Sequence, residues 1–126
     1  MRVFKTRRFA QFARRERIAD ASLREAVQRA ARGLIDADLG GGVIKQRVAR
    51  PGQGRSGGFR VLIAYRAQSR SVFLFGFAKS DLDNVDDDQL ETLRDIATDW
   101  LRADDAIVGR AVMEGKIVEV PYGEEA

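Results

Sequence analysis

The chain has no cysteine and no histidine among its 126 residues, and it has only two prolines. The absence of cysteine excludes disulfides, thiolate metal sites and thiol nucleophiles. The absence of histidine excludes Ser-His-Asp triads and imidazole acid–base catalysis. The aspartates of residues 81–88 have no metal-ligand spacing. We therefore expect neither a cofactor nor a bound metal, and any chemistry uses lysine, arginine, tyrosine, serine or carboxylates.

Long apolar runs are also missing. Residues 1–8 carry basic side chains without the apolar stretch that a signal peptide needs, and no segment approaches a membrane span. We expect a cytoplasmic protein that does not contact a membrane. Because 44% of the residues are hydrophobic, a chain of this length can bury a core as a single domain over residues 1–126.

Charge of opposite sign occupies the two parts of the sequence. Residues 1–80 contain 18 lysines and arginines against 5 acidic residues, whereas residues 81–126 contain 4 against 14. This asymmetry indicates a basic surface for a polyanion beside an acidic segment. The alternative is that the charges lie on solvated helix faces and have no partner.

Hydrophobic periodicity predicts an α+β fold with the order β-α-α-β-β-β-α, followed by an appended short helix and strand at about 104–120. Ser22–Glu25 has the form of a capping box and predicts the start of the second helix, and Asp86–Gln89 predicts the start of the third. Gly40–Gly42 predicts a flexible break. The predicted elements are a strand at 1–5, a helix at 7–18, a helix from 22, strands at 43–48, 59–66 and 71–79, and a helix ending near 102.

The aromatic residues are interpreted as structural. Phe73, Phe75 and Phe77 alternate along one strand, which predicts that all three face the core on the same side. Tyr65 lies at the end of a strand, from which its ring can stack on a nucleobase, and Trp100 lies in the apolar stripe of the third helix. Packing is the more common role for both.

Basic residues follow the predicted central strands. The glycine-rich segment 50–58 is not a P-loop, because a strand and not a helix follows it. It is interpreted as a hairpin loop that can close over an extended polyanion. Arginine suits charge stabilisation of a phosphate, and a lysine among other cations can titrate as acid or base. The candidate site residues are Lys45, Arg47, Arg60 and Lys79 as catalytic groups, and Arg50, Arg55 and Ser56 as RNA contacts.

RNA carries its own nucleophile, the 2′-hydroxyl. A protein can cleave RNA by holding that hydroxyl in line with the phosphorus and stabilising the charge of the phosphorane. For each of these cations taken alone, the alternative to a catalytic role is a solvated side chain or a non-catalytic phosphate contact.

Three segments, Lys45–Gly52, Arg55–Arg60 and Gly76–Ser80, resemble the HigB-like branch of the RelE/ParE toxins of type II toxin–antitoxin systems. The resemblance covers about residues 1–120. It implies a small antiparallel sheet with an N-terminal helical hairpin and a C-terminal helix packed on it. It also implies a ribosome-dependent mRNA endonuclease, and a cognate antitoxin that is commonly a helix-turn-helix DNA-binding protein.

The resemblance assigns roles by position. Arg60 matches the arginine that clamps the scissile phosphate, Lys45 and Arg47 match the basic pair on the preceding strand, and Lys79 matches a basic residue at the end of the next. Some members use a C-terminal tyrosine or a histidine pair. This chain has no histidine, and Tyr122 lies beyond the appended strand.

Two other functions fit the same residues. ParE-type members share the fold but inhibit DNA gyrase without cutting RNA, so fold does not decide the target. A non-catalytic RNA-binding module would bind with steep salt dependence and would be harmless when expressed.

Overall fold

The computed structural model describes residues 1–50, 58–78 and 85–122. Within these ranges the chain forms six strands and four helices. In chain order they are β1 (Arg2–Thr6), α1 (Arg7–Arg15), α2 (Asp20–Ala31), β2 (Ala37–Gly40), β3 (Val43–Val48), β4 (Phe59–Arg66), β5 (Arg70–Ala78), α3 (Asp87–Arg102), α4 (Asp105–Met113) and β6 (Ile117–Val120).

The strands form one sheet in the order β2-β3-β4-β5-β1-β6. Strand β1 pairs parallel with β5, and the other neighbouring strands pair antiparallel. The predicted α+β class is thus confirmed, with a sheet that is mostly antiparallel. The appended helix and strand are α4 and β6, and β6 closes one edge of the sheet against β1.

Helices cover both faces of the sheet. Strand β1 divides its side chains between the two cores, because alternate residues of a strand point to opposite faces. Val3 belongs to the apolar cluster under α1 and α2, and Phe4 belongs to the cluster under α3 and α4. We refer to the two sides as the α1/α2 face and the α3/α4 face.

Side-chain caps define the starts of α1, α3 and α4. The Thr6 hydroxyl accepts a hydrogen bond from the Phe9 amide at 3.1 Å. Asp86 and Gln89 form the predicted capping box at the start of α3, which satisfies two amides that the helix leaves unpaired. Asp104 caps α4 by accepting from the amide of Ile107.

The second helix differs from its prediction. It begins at Asp20, and Ala19 occupies the cap position without a side-chain hydrogen bond, so the expected capping box at Ser22–Glu25 is wrong. The preceding helix ends at Arg15 and not at residue 18. Arg17 has a φ of 58°, a left-handed conformation that interrupts helical hydrogen bonding. The first helix is therefore three residues shorter than periodicity predicts, and the second begins two residues earlier.

The expected flexible break at Gly40–Gly42 is a defined turn between β2 and β3. Gly41 and Gly42 have φ values of 62° and 85°, which residues with a Cβ rarely adopt. A Cβ on Gly42 would lie 2.8 Å from the Leu101 side chain of α3. Strand β2 was not predicted, because its sequence, Ala-Asp-Leu-Gly, is short and weakly apolar. The turn packs closely against α3.

The expected common face of Phe73, Phe75 and Phe77 is wrong. The pairing register between β4 and β5 shifts, because Leu62 lies opposite Phe75 whereas Ile63 lies opposite Phe73. Such a bulge inserts one residue and changes which side chains share a face. Phe73 packs in the α1/α2 cluster, and Phe75 packs against the α3/α4 cluster. All three rings remain structural.

Two arginines at the β4–β5 hairpin bind the end of α3. Arg70 Nη1 donates to the carbonyls of Trp100 and Ala103, both at 2.7 Å. Arg66 Nη1 donates to the carbonyl of Leu101 at 2.9 Å. Because the last carbonyls of a helix lack partners within it, these bonds stabilise the helix terminus and fix α3 on the sheet.

Candidate active site

Three of the predicted catalytic side chains lie on the α3/α4 face of the sheet. Lys45 and Arg47 are two residues apart on β3 and therefore share a face. Arg60 on β4 is the direct pairing partner of Arg47. These three residues, with Asp36 and Ala37, line an open cavity of about 370 Å³. The structure thus brings Lys45, Arg47 and Arg60 together, as the sequence predicts.

The position of α3 explains why this cavity is open. The apolar cluster under α3 and α4 includes Val43 of β3 and Leu62 of β4. Lys45, Arg47 and Arg60 follow or precede these residues on the same strands, toward the end of the sheet that α3 leaves uncovered. The helix begins at Asp87, close to Lys45, and its last turn lies at the β4–β5 hairpin, where Arg66 donates to the Leu101 carbonyl. The basic side chains therefore border solvent while their strands remain in a packed sheet.

Arg60 is partly buried and lacks a partner for one donor. Its Nη1 atom is buried and makes no hydrogen bond. Among the described residues, no other buried side-chain nitrogen or oxygen lacks a hydrogen-bond partner. An unpaired buried donor on a charged group is costly. Arg47 directly opposite adds like-charge repulsion. An anion in the cavity would satisfy the free donor and offset the repulsion, since guanidinium groups bind phosphate oxygens strongly.

Asp36 and Arg29 hold Arg47 from its backbone. The Asp36 carboxylate accepts a hydrogen bond from the Arg47 amide at 2.7 Å, and Arg29 Nη2 donates to the Arg47 carbonyl. Arg29 is 5% exposed. It also pairs with Glu25 at 2.8 Å and lies 3.6 Å from Asp36. A buried arginine on α2 thus fixes both the acidic wall of the cavity and the strand that carries Arg47.

Gln46 contributes from the other side of the sheet. It is fully buried, and its amide nitrogen donates to the carbonyls of Ala26 and Leu34 at 3.0 and 3.1 Å. Its amide oxygen accepts from the Asp36 backbone at 2.7 Å. These bonds anchor the connection between α2 and β2, and so they set where Asp36 enters the cavity.

Asp36, Arg29 and Gln46 were not predicted from the sequence. The four-residue spacing of Glu25 and Arg29 is a usable signal, because it places an ion pair on one side of a helix. Asp36 has no local signal, since its role depends on a strand pairing between distant residues. For Gln46, the sequence shows only a polar residue between the two cations of β3.

Of the remaining candidates, the structure describes Arg50. The guanidinium of Arg50 lies 4.8 Å from the centre of the Phe59 ring, and Phe59 belongs to the α1/α2 cluster. Its expected RNA contact stays a prediction. Lys79, Arg55 and Ser56 lie outside the described residues.

Both tyrosines lie away from the basic cavity. Tyr65 and Tyr122 pack against the α1/α2 cluster, on the opposite face of the sheet from Lys45, Arg47 and Arg60. Burial raises the pKa of the Tyr65 hydroxyl, and the neighbouring Tyr122 adds to the shift. Trp100 packs against the α3/α4 cluster. In these positions the three rings have structural roles.

The cavity therefore offers cations and one carboxylate. Within the described ranges, no group of three or more acidic side chains is arranged to hold a metal ion. Nor does any helix in those ranges have both the length and the apolar character needed to cross a membrane. The arrangement is suited to binding a phosphodiester and stabilising added negative charge on it.

Comparison with known protein families gives a match over most of the chain. The sequence model of a family described as the RelE toxin of the RelE / RelB toxin-antitoxin system matches residues 1–120. No curated protein and no solved structure matches the chain.

Proposed function

The chain belongs to the RelE toxin family of toxin–antitoxin systems, and we propose that it is a ribosome-dependent mRNA endonuclease of the HigB-like branch. Its cognate antitoxin is then a small helix-turn-helix DNA-binding protein. Its place of action is the cytoplasm, where ribosomes translate the message. The cavity lined by Lys45, Arg47 and Arg60 is the proposed site of cleavage.

The unpaired Nη1 of Arg60 is the observation that carries this proposal. Arg60 combines a buried free donor with a directly opposed arginine. Asp36 forms an ion pair with that arginine at 3.8 Å, so Arg60 itself still lacks an anion. A scissile phosphate supplies that anion, and the phosphorane formed during cleavage carries more negative charge than the phosphate. The two guanidinium groups then stabilise the transition state more than the ground state.

The reaction uses the nucleophile that RNA already contains. The 2′-oxygen loses its proton and forms a bond to phosphorus, the bond between phosphorus and the 5′-oxygen breaks, and the 5′-oxygen gains a proton. The products are a 2′,3′-cyclic phosphate and a 5′-hydroxyl. Lys45 and Lys79 are the proposed proton carriers, and Arg50, Arg55 and Ser56 are proposed to contact the flanking backbone.

Dependence on the ribosome follows because the chain has few side chains that can transfer a proton at neutral pH. A chain without histidine gains little from proton transfer at neutral pH, so correct positioning of the 2′-hydroxyl must supply more of the rate. A ribosome that holds the codon in place provides that positioning. Free RNA is then a poor substrate.

The test is expression of the protein alone, with mapping of transcript 5′ ends. We expect growth arrest and new 5′-hydroxyl ends in phase with codons, and loss of both with Arg60→Ala. Arg110→Ala is the matched control, because Arg110 is an exposed arginine of α4 on a different part of the surface. Both variants are checked for folding by circular dichroism.

Other outcomes contradict the proposal in different ways. Arrest with intact transcripts and a supercoiling defect would identify a gyrase-type inhibitor. Binding to RNA without arrest would identify a non-catalytic module. Loss of cutting on addition of EDTA to a purified translation reaction, when supplementary magnesium keeps the ribosomes intact, would contradict the metal-free scheme.

A further inference from the structure

Strand β5 is longer than the ladder that it forms with β1. Residues Arg2–Lys5 of β1 pair with Arg70–Phe73 of β5, whereas β5 continues to Ala78. The chain leaves the path of β1 at Arg7, where α1 begins. On its other side, β5 pairs with β4 as far as its last residue. Within the described parts of the chain, residues 74–78 therefore have a strand on one side only, and their backbone groups that point away from β4 have no strand partner.

A cavity of about 200 Å³ lies along this free edge, between β5 and α1. Its walls include Leu74, Phe75 and Gly76 of β5 and Arg8, Phe12 and Arg15 of α1. Sites for small molecules usually have volumes of about 300 to 1,000 Å³. This cavity is smaller and is open to solvent, so it suits a segment of chain that crosses it better than an enclosed small molecule.

Phe12 gives the cavity an apolar wall with a fixed position. Its ring lies against Gly76, because a Cβ added to that glycine would collide with the ring. The ring also meets Phe59 edge-on, with ring centres 5.7 Å apart. An aromatic ring held in this way offers a firm surface for an apolar side chain of a ligand.

The α1 side of the cavity is cationic. Residues 7–17 contain five arginines and one glutamate. Arg8 and Arg15 are both exposed, and seven residues of helix separate them by about 10 Å along the axis on the same side. Arg15 Nε lies 3.6 Å from the Glu16 carboxylate, but 68% of the Arg15 side chain is accessible, so this weak pair leaves the guanidinium available. A ligand with two separated anionic groups is favoured.

The backbone edge distinguishes a peptide from a nucleic acid. A free strand edge offers N–H donors and C=O acceptors in turn. Another peptide backbone satisfies both kinds of group, whereas the oxygens of a phosphodiester only accept hydrogen bonds. Addition of an extended peptide to an exposed sheet edge is a recurring mode of recognition. The edge therefore favours a peptide, and the arginines favour one that carries carboxylates.

We propose that an acidic, extended segment of a partner protein adds to the sheet as a strand along residues 74–78, and that Arg8 and Arg15 bind its carboxylates. Side chains of a strand alternate between faces, and the rise is about 3.4 Å per residue. Every second side chain then faces α1, with the middle one against Phe12. Acidic groups four residues apart are about 14 Å apart, which two long arginine side chains can span. This inference goes beyond the proposed endonuclease function and does not rest on it.

The experiment measures binding of a labelled peptide, Glu-Thr-Val-Thr-Glu blocked at both ends, to the protein. The test variant combines Arg8→Gln with Arg15→Gln. The matched control combines Arg14→Gln with Arg17→Gln, which removes the same charge from the same region, and neither of these residues lines the cavity. A second peptide, Lys-Thr-Val-Thr-Lys, tests the sign of the ligand charge.

We expect the test variant to bind the acidic peptide about five to ten times more weakly than the wild type. At physiological ionic strength the control should weaken binding by less than about twofold, because distant exposed charges are screened. The lysine peptide should bind at least about tenfold more weakly than the acidic one. Thermal unfolding of each variant shows whether the fold is preserved.

Hydrogen exchange tests the strand pairing itself. Saturating acidic peptide should slow exchange of amides within residues 74–78 by at least about tenfold, because a new strand protects them. Peptide binding without this protection would contradict strand addition. A merely electrostatic contact with α1 would leave these amides unchanged.

The other outcomes also overturn the proposal. Equal weakening in the test variant and the control would show a general effect of charge. Failure of the acidic peptide to bind, with binding of an oligouridine that the test variant loses, would assign this edge to RNA. Protection of residues 74–78 that grows with protein concentration in the absence of peptide would assign it to a second copy of the chain. None of these measurements uses RNA cleavage, so they are independent of the proposed endonuclease function.

Discussion

Arg47 and Arg60 lie directly opposite each other on neighbouring antiparallel strands, and the buried Nη1 of Arg60 has no hydrogen-bond partner. Two like charges at directly opposed positions destabilise a sheet. Asp36 offsets part of this repulsion, because its carboxylate lies 3.8 Å from Arg47 Nε, but the buried donor of Arg60 stays unpaired. Residues that lower the stability of a fold in this way are commonly functional.

Replacing Arg60 with methionine is expected to raise thermal stability while abolishing RNA cleavage. Methionine has a similar length but no charge and no donor, so it removes the repulsion and the unpaired group. We expect a gain of about 1 kcal/mol in the free energy of unfolding, or a rise of about 4 °C in Tm. The measurement is thermal unfolding by circular dichroism. Arg110→Met serves as the control, and a lower Tm for Arg60→Met than for this control would contradict the argument.

Replacing Arg29 with methionine is expected to destabilise the protein. The substitution leaves the Arg47 carbonyl without its donor and removes the ion pairs to Glu25 and Asp36. Because both carboxylates keep access to solvent, we expect a loss of about 2 kcal/mol, less than for a fully buried pair. Denaturant unfolding measures it. Arg32→Met, at an exposed arginine after the same helix, should change stability by under about 0.5 kcal/mol.

The ion pair between Arg2 and Glu119 predicts a pH dependence of stability. The hydrogen bond from Arg2 and its charge lower the pKa of the Glu119 carboxyl below its ordinary value of 4.5. The pair therefore stabilises the folded protein above that ordinary pKa, and this contribution disappears as the pH falls through the lower folded value.

The expected size of this effect is small, because both side chains are largely exposed, with 50% and 42% of their surface accessible. Glu119→Gln should cost on the order of 0.5 kcal/mol at pH 7 and less at pH 2, where protonation of the carboxyl weakens the pair. Denaturant unfolding at the two pH values measures the difference. The control is Glu91→Gln, at an exposed position of α3. An equal pH response of the two variants would show that the Arg2 pair has no specific role.

Two glycine-to-alanine substitutions should have opposite effects. At Gly42, the φ is 85° and an added Cβ would lie 2.8 Å from the Leu101 side chain, so alanine should cost about 1 to 2 kcal/mol. At Gly109, within α4, a Cβ meets nothing within 4 Å, and alanine should add about 0.5 to 1 kcal/mol. Chemical denaturation of both variants tests this pair. Stabilisation at Gly42 would contradict the assigned turn.

Local sequence patterns predicted those elements whose signals lie within a few residues. The capping box at Asp86–Gln89 is confirmed because its hydrogen bonds join residues three apart. The register of β3 also follows from its own alternation, which placed Lys45 and Arg47 on one face. Arg60 joined them because β4 obeys the same period of two.

Features that depend on pairing between distant residues were not predictable in this way. The bulge that separates Phe73 from Phe75 arises where β5 meets β4, and nothing in β5 alone marks it. Strand β2 exists because it pairs with β3, although its own four residues have little strand preference. For the same reason the role of Asp36 became visible only when β2 was placed beside β3.

The place of β1 in the sheet has a consequence for synthesis. Residues 2–6 lie between β5 and β6, so the first strand to leave the ribosome pairs with residues 117–120, which are made more than a hundred residues later. Contacts between such distant parts of a chain form slowly, and synthesis proceeds from the N-terminus. The nascent chain thus cannot complete its sheet while residues 117–120 remain inside the exit tunnel.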